Sequence, residues 1–430
     1  MIVDIQIGYW LLDSNNIVKC FNDILNYLNV QPFFDIKSND TIQRGCYYLM
    51  LLSQVYEKLT SMLIMYDLWT LFINLEMRLV PILAAMRYRG IRVDRNSLEH
   101  IKTQLDDEIK KIELKAYTIC GKVFHINSAI ELRTILYDEL KLDQLNGVNI
   151  KRTDIKGAKS TSESMLKMLR KFHPLPNVIM EYRKLNKIQT GYVESLIQWI
   201  QDDVIHTTWD QSSAATDKTI NLRNLFIARE NYKFIVIDFQ QIEFRLFAHL
   251  SKDRNLIEIF QNNTDIFVTL IEQLQNEINI VDIDRDTVKR ILYAIMYGAG
   301  PIKLSQELEI DVEKANKIYS FIIGKFSVLK SFPKDVIEEC RSLGYLRSLT
   351  GRRRYFPNIS NSNFQLQLQS ERQAVNFVIQ GSAADICKLV MIRIENILAA
   401  KNYDCHLLLQ IHDELLWEIH DTCFQEATSA

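Results

Sequence analysis

The 430-residue chain is poor in helix breakers, with only 13 glycines and 7 prolines. That scarcity excludes collagen-like and low-complexity architectures and leaves helices as the expected dominant element. Its 7 cysteines are scattered from Cys20 to Cys423 with no CxxC pair. This excludes a zinc module or a disulfide scaffold and fits a reduced, intracellular setting. There is no excess of positive charge: 51 Lys and Arg against 53 Asp and Glu give a formal net charge of −2. Any contact with a polyanion must then come from a local basic face. No transmembrane segment is expected. The most apolar stretch, Tyr47 to Met86, is broken by Glu57, Lys58, Asp67 and Glu76 and reads as buried helices. The opening MIVDIQIGYWLLD has acids and no basic leader, which argues against a signal or transit peptide.

What is present is a hydrophobic fraction of 47%, enough for sizeable cores in about two to four domains. Residues 1 to about 45 read as a short α/β piece. Helices are expected over Tyr47 to Arg89, and an amphipathic helix over Val93 to Lys115 capped by Asp94 or Asn96. Ser128 is a candidate cap for the next helix, and Ser160 or Ser162 for the one holding Met165 to Leu169. Lys151 to Lys171 is rich in cations, either a solvated loop or a phosphate-tracking tip. FIVID (Phe234 to Asp238) suits a buried strand feeding a helix over IEFRLFAHL. Helices are expected from Asn255 to Arg341, and LLLQI and LLWEI flanking His412-Asp413-Glu414 predict a tight hairpin.

Three separated patches carry chemistry. Asp238 ends one strand and Asp413 sits at the turn between two others. Were the strands neighbours in one sheet, both carboxylates would project from one rim, with Glu414 ancillary. Paired carboxylates are natural ligands for two Mg²⁺ ions in phosphoryl transfer. Taken singly, Asp238 reads better as a helix cap and Asp413 as a turn residue. Arg285, Lys289, Tyr293 and Tyr297 recur every fourth position, so each step turns the stripe by only about 40°. Cations one turn apart can grip a triphosphate, and rings beyond them can stack on a base or sugar; the alternative is an amphipathic helix with solvated cations. Gly298 and Gly300 mark a helix end or a kink. Gly351-Arg352-Arg353-Arg354 is a turn followed by three cations, a surface loop or a phosphate contact. Arg372, Asn376 and Gln380 form a polar stripe on an apolar helix, suited to base edges or to interior hydrogen bonds.

In this order the segments resemble DNA polymerase family A. VIDFQQIEFR is similar to its motif A, RDTVKRILYAIMYG to motif B and QIHDE to motif C. MRLVPILAAM, LTGRRRYFP and ERQAVNFVIQGSAADICKL resemble the animal branch containing nu and theta, nu the nearer. The resemblance implies an α+β, helix-rich right-hand polymerase fold with thumb, palm and fingers after a degenerate exonuclease-like remnant. The expected divisions are 1–75 for the remnant, 76–205 for thumb and palm entry, 206–250 for the first palm part, 251–360 for the fingers and 361–430 for the second palm part.

The resemblance also implies residue roles. Asp238 and Asp413 would be metal ligands for two Mg²⁺ ions, and Arg285 and Lys289 would hold the triphosphate. Tyr293 would lie against the sugar and Tyr297 near the nascent base pair. Glu243, with Gln241 beside it, would exclude a 2′-hydroxyl. Arg372, Asn376, Gln380 and His412 would contact primer–template DNA, as would Arg352 and Arg353 of the cationic turn. Partners would be DNA and dNTPs, with no membrane; the setting would be nuclear, the role repair or translesion synthesis, and proofreading absent. Two family segments are not found: one touching the minor groove, expected after Thr216, and a helix and strand expected past Ala430. A catalytically impaired DNA-binding or regulatory form is therefore the alternative expectation. A single-subunit RNA polymerase is disfavoured by Glu243, and a two-metal nuclease by the Arg285 ladder.

Overall fold

The structure, a computed structural model, describes residues 3–16, 18, 20–31, 41–145, 150, 152, 157–207, 223–262, 264–280 and 283–429. The Thr216 junction and much of the 151–156 stretch lie outside these. Two compact units form. One holds described residues of Met1–Met86 and Ile235–Ala430, the other those of Arg87–Thr208 and Thr216–Phe234.

In the second unit, Asp94 caps the Arg95–Cys120 helix by accepting the Ser97 N–H at 3.2 Å. That helix packs on Leu175–Ile188 around Ile112, Leu136, Leu166, Val178 and Ile179. Ser128 caps Ala129–Arg133, and Ser162 precedes Glu163–Leu169. Four short antiparallel strands run in the order Ile200–Gln201, Val204–Ile205, Ile91–Val93, Phe226–Ile227. Gly90 enters this sheet at φ 64°, and a Cβ there would lie 2.7 Å from the Ile205 carbonyl oxygen. Only glycine meets both demands without strain.

The first unit opens with helices Ile5–Leu12, Phe21–Tyr27 and Thr41–Met65 around Leu11, Ile24, Val55, Leu63 and Phe72. No strand forms among the described residues of 3–31, so the expected α/β character is corrected to all-helical. The apolar, β-branched IVDIQI run is taken over by Asp4, whose carboxylate caps the first helix at the Gln6 N–H, 2.8 Å away. Helices Arg254–Gln261 through Val328–Leu343 bury Phe244, Phe267, Leu292, Ile322 and Phe332 in one core. The three-stranded sheet has the order Tyr232–Asp238, Glu414–His420, Cys405–Ile411. The last two form the expected hairpin, with Ile411 opposite Glu414.

The expectation that FIVID forms a buried strand is wrong. Val236 is 56% and Ile237 39% exposed. The strand lies at an edge of its sheet, so apolar composition does not guarantee cover on both faces.

Two helices, Trp69–Arg89 and Phe364–Ala400, are long and apolar enough to cross a membrane. Each is interrupted by a π-helical turn, at Phe72–Glu76 and Phe377–Gly381. They meet through a buried ion network. Arg352 donates from Nε and Nη2 to Asp385 Oδ1, at 2.9 and 2.6 Å, and from Nη2 to Glu76. Lys388 donates to both Glu76 oxygens, at 2.9 and 3.2 Å. Trp10 lies against both cations, 4.9 Å from the guanidinium and 5.5 Å from the ammonium. Paired charges of this kind belong to the interior of a folded unit.

Candidate active site

Asp238 ends its strand exposed, and its carboxylate accepts the Gln240 N–H at 2.6 Å. The chain then turns through Gln240 at φ 38° and Gln241 at φ 61°. Two successive left-handed non-glycine residues store strain, as turns at functional sites often do. The turn launches the Ile242–Ser251 helix with Glu243 in its first turn. The hairpin tip comes alongside, where the Phe239 N–H donates to the Asp413 carbonyl at 3.2 Å. His412 is exposed in that tip at φ 56°, a conformation histidine enters more readily than most residues. The two aspartates are thus brought to one rim, and neither has a cation partner among the described residues.

The Arg285–Met296 helix faces this rim. Asp284 caps it, accepting the Thr287 N–H at 2.9 Å. Val288, Ile291, Leu292, Ile295 and Met296 are buried, leaving Arg285, Lys289 and Tyr293 on the other stripe. Tyr297 falls one residue beyond the helix. Tyr293 meets Phe244 edge-on at 4.8 Å between centroids and lies 6.4 Å from Tyr297. Burial first, then the Glu243, Asp413 and Asp238 carboxylates, push the Tyr293 hydroxyl well above its usual range. Burial and Glu243 do the same for Tyr297. Both hydroxyls therefore stay protonated at neutral pH, available as donors beside a carboxylate. The Gln380 amide reaches Glu243 at 3.4 Å, so residues 137 positions apart meet beside the rim.

Arg372 is exposed on the Phe364–Asn376 helix, and Asn376 is half-buried with Oδ1 unpartnered. The π turn at Phe377–Gly381 then rotates Gln380 away from the spacing a continuous α-helix would give it. Gln241 is half-buried with Oε1 unpartnered.

Arg352 is a correction. It is 7% exposed and bonded to two carboxylates, so its charge serves the interior and not a phosphate. A turn followed by cations reads as surface because the partners, Glu76 and Asp385, lie far away in sequence. Arg353 is half-buried, its guanidinium 5.5 Å from the Tyr66 ring and 5.0 Å from the Tyr345 ring. Sequence reasoning also missed Asp265, which precedes IFVTLI as a legible helix cap but whose bond to Arg285 is not local. It missed Cys387 as well, a thiol raised to about 12 by burial and by the Asp413 carboxylate.

The donor set at the rim is oxygen only. Among the described residues no group of three or more His, Cys, Asp and Glu side chains is poised for a metal. Two uncompensated carboxylates fit a hard cation that takes its remaining ligands from phosphate and water. Asp238 and Asp413 would hold it.

A helix-rich chain whose small sheet carries two carboxylates on one rim, opposite a helix bearing spaced cations, defines a right-hand polymerase fold. The match to a solved structure agrees: the POL domain of Pol1 from M. smegmatis in complex with DNA primer-template and dNTP superposes with a TM-score of 0.87 at 27% identity, covering 99% of this chain and 77% of that one. A family model for DNA polymerase family A matches residues 95–430. The thermostable DNA polymerase I of Thermus filiformis is 31% identical over 91% of this chain and 48% of its own length. DNA polymerase I of Bacillus subtilis (strain 168) is 33% identical over 84% and 43%. The chain belongs to DNA polymerase family A. It spans about half the length of the curated relatives it matches.

Proposed function

We propose that the chain is a template-directed DNA polymerase of the animal nu type that adds dNTPs to a primer 3′-hydroxyl. The observation carrying this reading is the backbone bond that ties Phe239 to Asp413 and brings Asp238 and Asp413 together, neither with a cation partner among the described residues and both acting on the Tyr293 hydroxyl. Two bound Mg²⁺ ions would supply charge neutralisation for the attacking and leaving oxygens. Arg285 and Lys289 hold the triphosphate, Tyr293 abuts the sugar, Tyr297 borders the nascent pair, and Glu243 occupies the space of a 2′-hydroxyl. Arg372, Asn376, Gln380 and His412 contact primer and template. The divisions by residue range follow the thumb, palm and fingers set out above, behind an exonuclease-like remnant that does not proofread. The setting is nuclear, and the role is repair or translesion synthesis.

Primer extension with Mg²⁺ tests the reading. Asp238→Ala and Asp413→Ala should each abolish extension while leaving the fold intact, because both side chains are solvent-accessible and neither has a cation partner among the described residues. Variants that extend like the wild type would sink it. DNA binding by a wild-type chain that does not extend would favour the impaired, DNA-binding form.

A further inference from the structure

The cation at the head of the Arg285–Met296 helix is held by an acid from another helix. Asp265 is the N-cap of Ile266–Ile278. Its two oxygens divide the work. Oδ1 accepts the Phe267 and Val268 N–H groups, at 2.8 and 3.4 Å. Oδ2 accepts Nε and Nη2 of Arg285, at 3.0 and 2.8 Å. The guanidinium also lies over the Phe267 ring, 5.1 Å from its centroid. Burial raises the Asp265 carboxyl, but its bonds to Arg285 and to the helix N–H groups outweigh that and hold it below the usual range.

A guanidinium has more than one donor edge. Asp265 takes the side edge, Nε with Nη2. Nη1 has no partner among the described residues, so the outer edge stays open. Lys289, one turn along, also has no partner among the described residues. An exposed arginine would otherwise sample many rotamers, and ordering it on binding costs free energy. With its side edge and one face fixed, that cost is met before the ligand arrives.

We propose that Asp265 is a positioning residue for the triphosphate: it fixes Arg285 side-on so that the outer guanidinium edge meets a phosphate oxygen pair. This rests on the nucleotide-binding reading above. Asn retains the capping oxygen but not the charge, so Asp265→Asn separates positioning from helix capping, and Asp265→Ala removes both. In Mg²⁺-dependent primer extension, Asp265→Asn should raise the KM for dNTP about three- to tenfold while kcat moves less. The double variant Asp265→Asn/Arg285→Ala should match Arg285→Ala alone, since the acid acts only through the arginine. Additive effects would mark a purely structural role.

Binding of dTTP with Mg²⁺ to the same proteins, followed by calorimetry, provides the readout independent of turnover. Weaker binding by Asp265→Asn supports the proposal even where the wild type fails to extend primers. Wild-type extension with an unchanged Asp265→Asn KM overturns the positioning role and leaves the polymerase reading standing. Tighter binding by Asp265→Asn overturns it in the other direction, making the carboxylate a competitor of phosphate. A wild type that neither extends nor binds dTTP overturns both.

Discussion

Arg352→Ala should be among the most destabilising single substitutions in the chain. Arg352 is 7% exposed, and its guanidinium faces Glu76 and Asp385, both 0% exposed. Asp385 would retain the Ser348 hydroxyl, at 2.7 Å, and that of Thr350. Glu76 would retain Lys388, so the buried pair of carboxylates would lose one of its two cations. Removing one partner of a buried pair costs about 3–5 kcal/mol, and loss of the stack on Trp10 adds to that. Against a typical native stability of about 5–15 kcal/mol, such a loss is large. Urea unfolding followed by far-ultraviolet circular dichroism and by tryptophan fluorescence reads it, because Trp10 borders both cations. Arg78→Ala is the control: Arg78 is exposed and has no partner among the described residues, so it should cost at most about 0.5 kcal/mol. Arg352→Lys should fall between, keeping the charge but not the fork. The reasoning is refuted if Arg352→Ala unfolds no earlier than the control. A DNA-contacting Arg352 would instead lower the salt dependence of DNA binding by about one ion without loss of stability.

Other outcomes follow from the same geometry. Burial raises the Glu76 carboxyl, but Arg352 and Lys388 outweigh it and hold the group below its ordinary 4.5. A depressed folded value makes its contribution complete above pH 4.5 and lost as pH falls through the folded pKa, so Glu76→Gln should flatten the acid side of a melting-temperature profile. Glu243→Ala should relax discrimination against ribonucleotides by about ten- to a hundredfold, measured as the ratio of kcat/KM values; an unchanged ratio removes Glu243 from that role. Gly90→Ala should cost at least about 1–2 kcal/mol for the left-handed conformation alone, with further loss from the close Ile205 carbonyl, read by thermal unfolding.

Local features were legible because their causes are local. Asp94 and Ser128 sit just ahead of apolar-periodic runs and cap their helices as their side-chain chemistry dictates. The hairpin around His412 and Asp413 follows from two apolar runs, LLLQI and LLWEI, that flank His412-Asp413-Glu414. The ladder from Arg285 lies opposite a buried apolar face because the period is that of a helix. What escaped depends on partners distant in the chain. Arg352 and Glu76 are 276 positions apart, and nothing in GRRR distinguishes a buried arginine from an exposed one. The FIVID strand has the composition of a covered strand, but cover depends on where a strand falls in its sheet. The π turn at Phe377–Gly381 breaks the i, i+4, i+8 spacing that had put Arg372, Asn376 and Gln380 on one stripe.

Pairing, more than residue type, separates scaffold from site in this chain. Arg352 and Lys388 are cations with carboxylates already in contact, and opening those contacts to serve a ligand would strand Glu76 and Asp385 in the interior. Asp238, Asp413 and Lys289 are left without opposite charges among the described residues, so they gain from a ligand that brings those charges with it. Arg285 stands between the two cases, with one edge bound to Asp265 and another open. A substitution at a paired charge should therefore register first in unfolding, and one at an unpaired charge first in ligand affinity. Asp265→Asn, which alters a pair beside the open edge, should register in affinity with little loss of stability. Were Lys289→Ala to lower the unfolding midpoint as far as Arg352→Ala does, that division would fail.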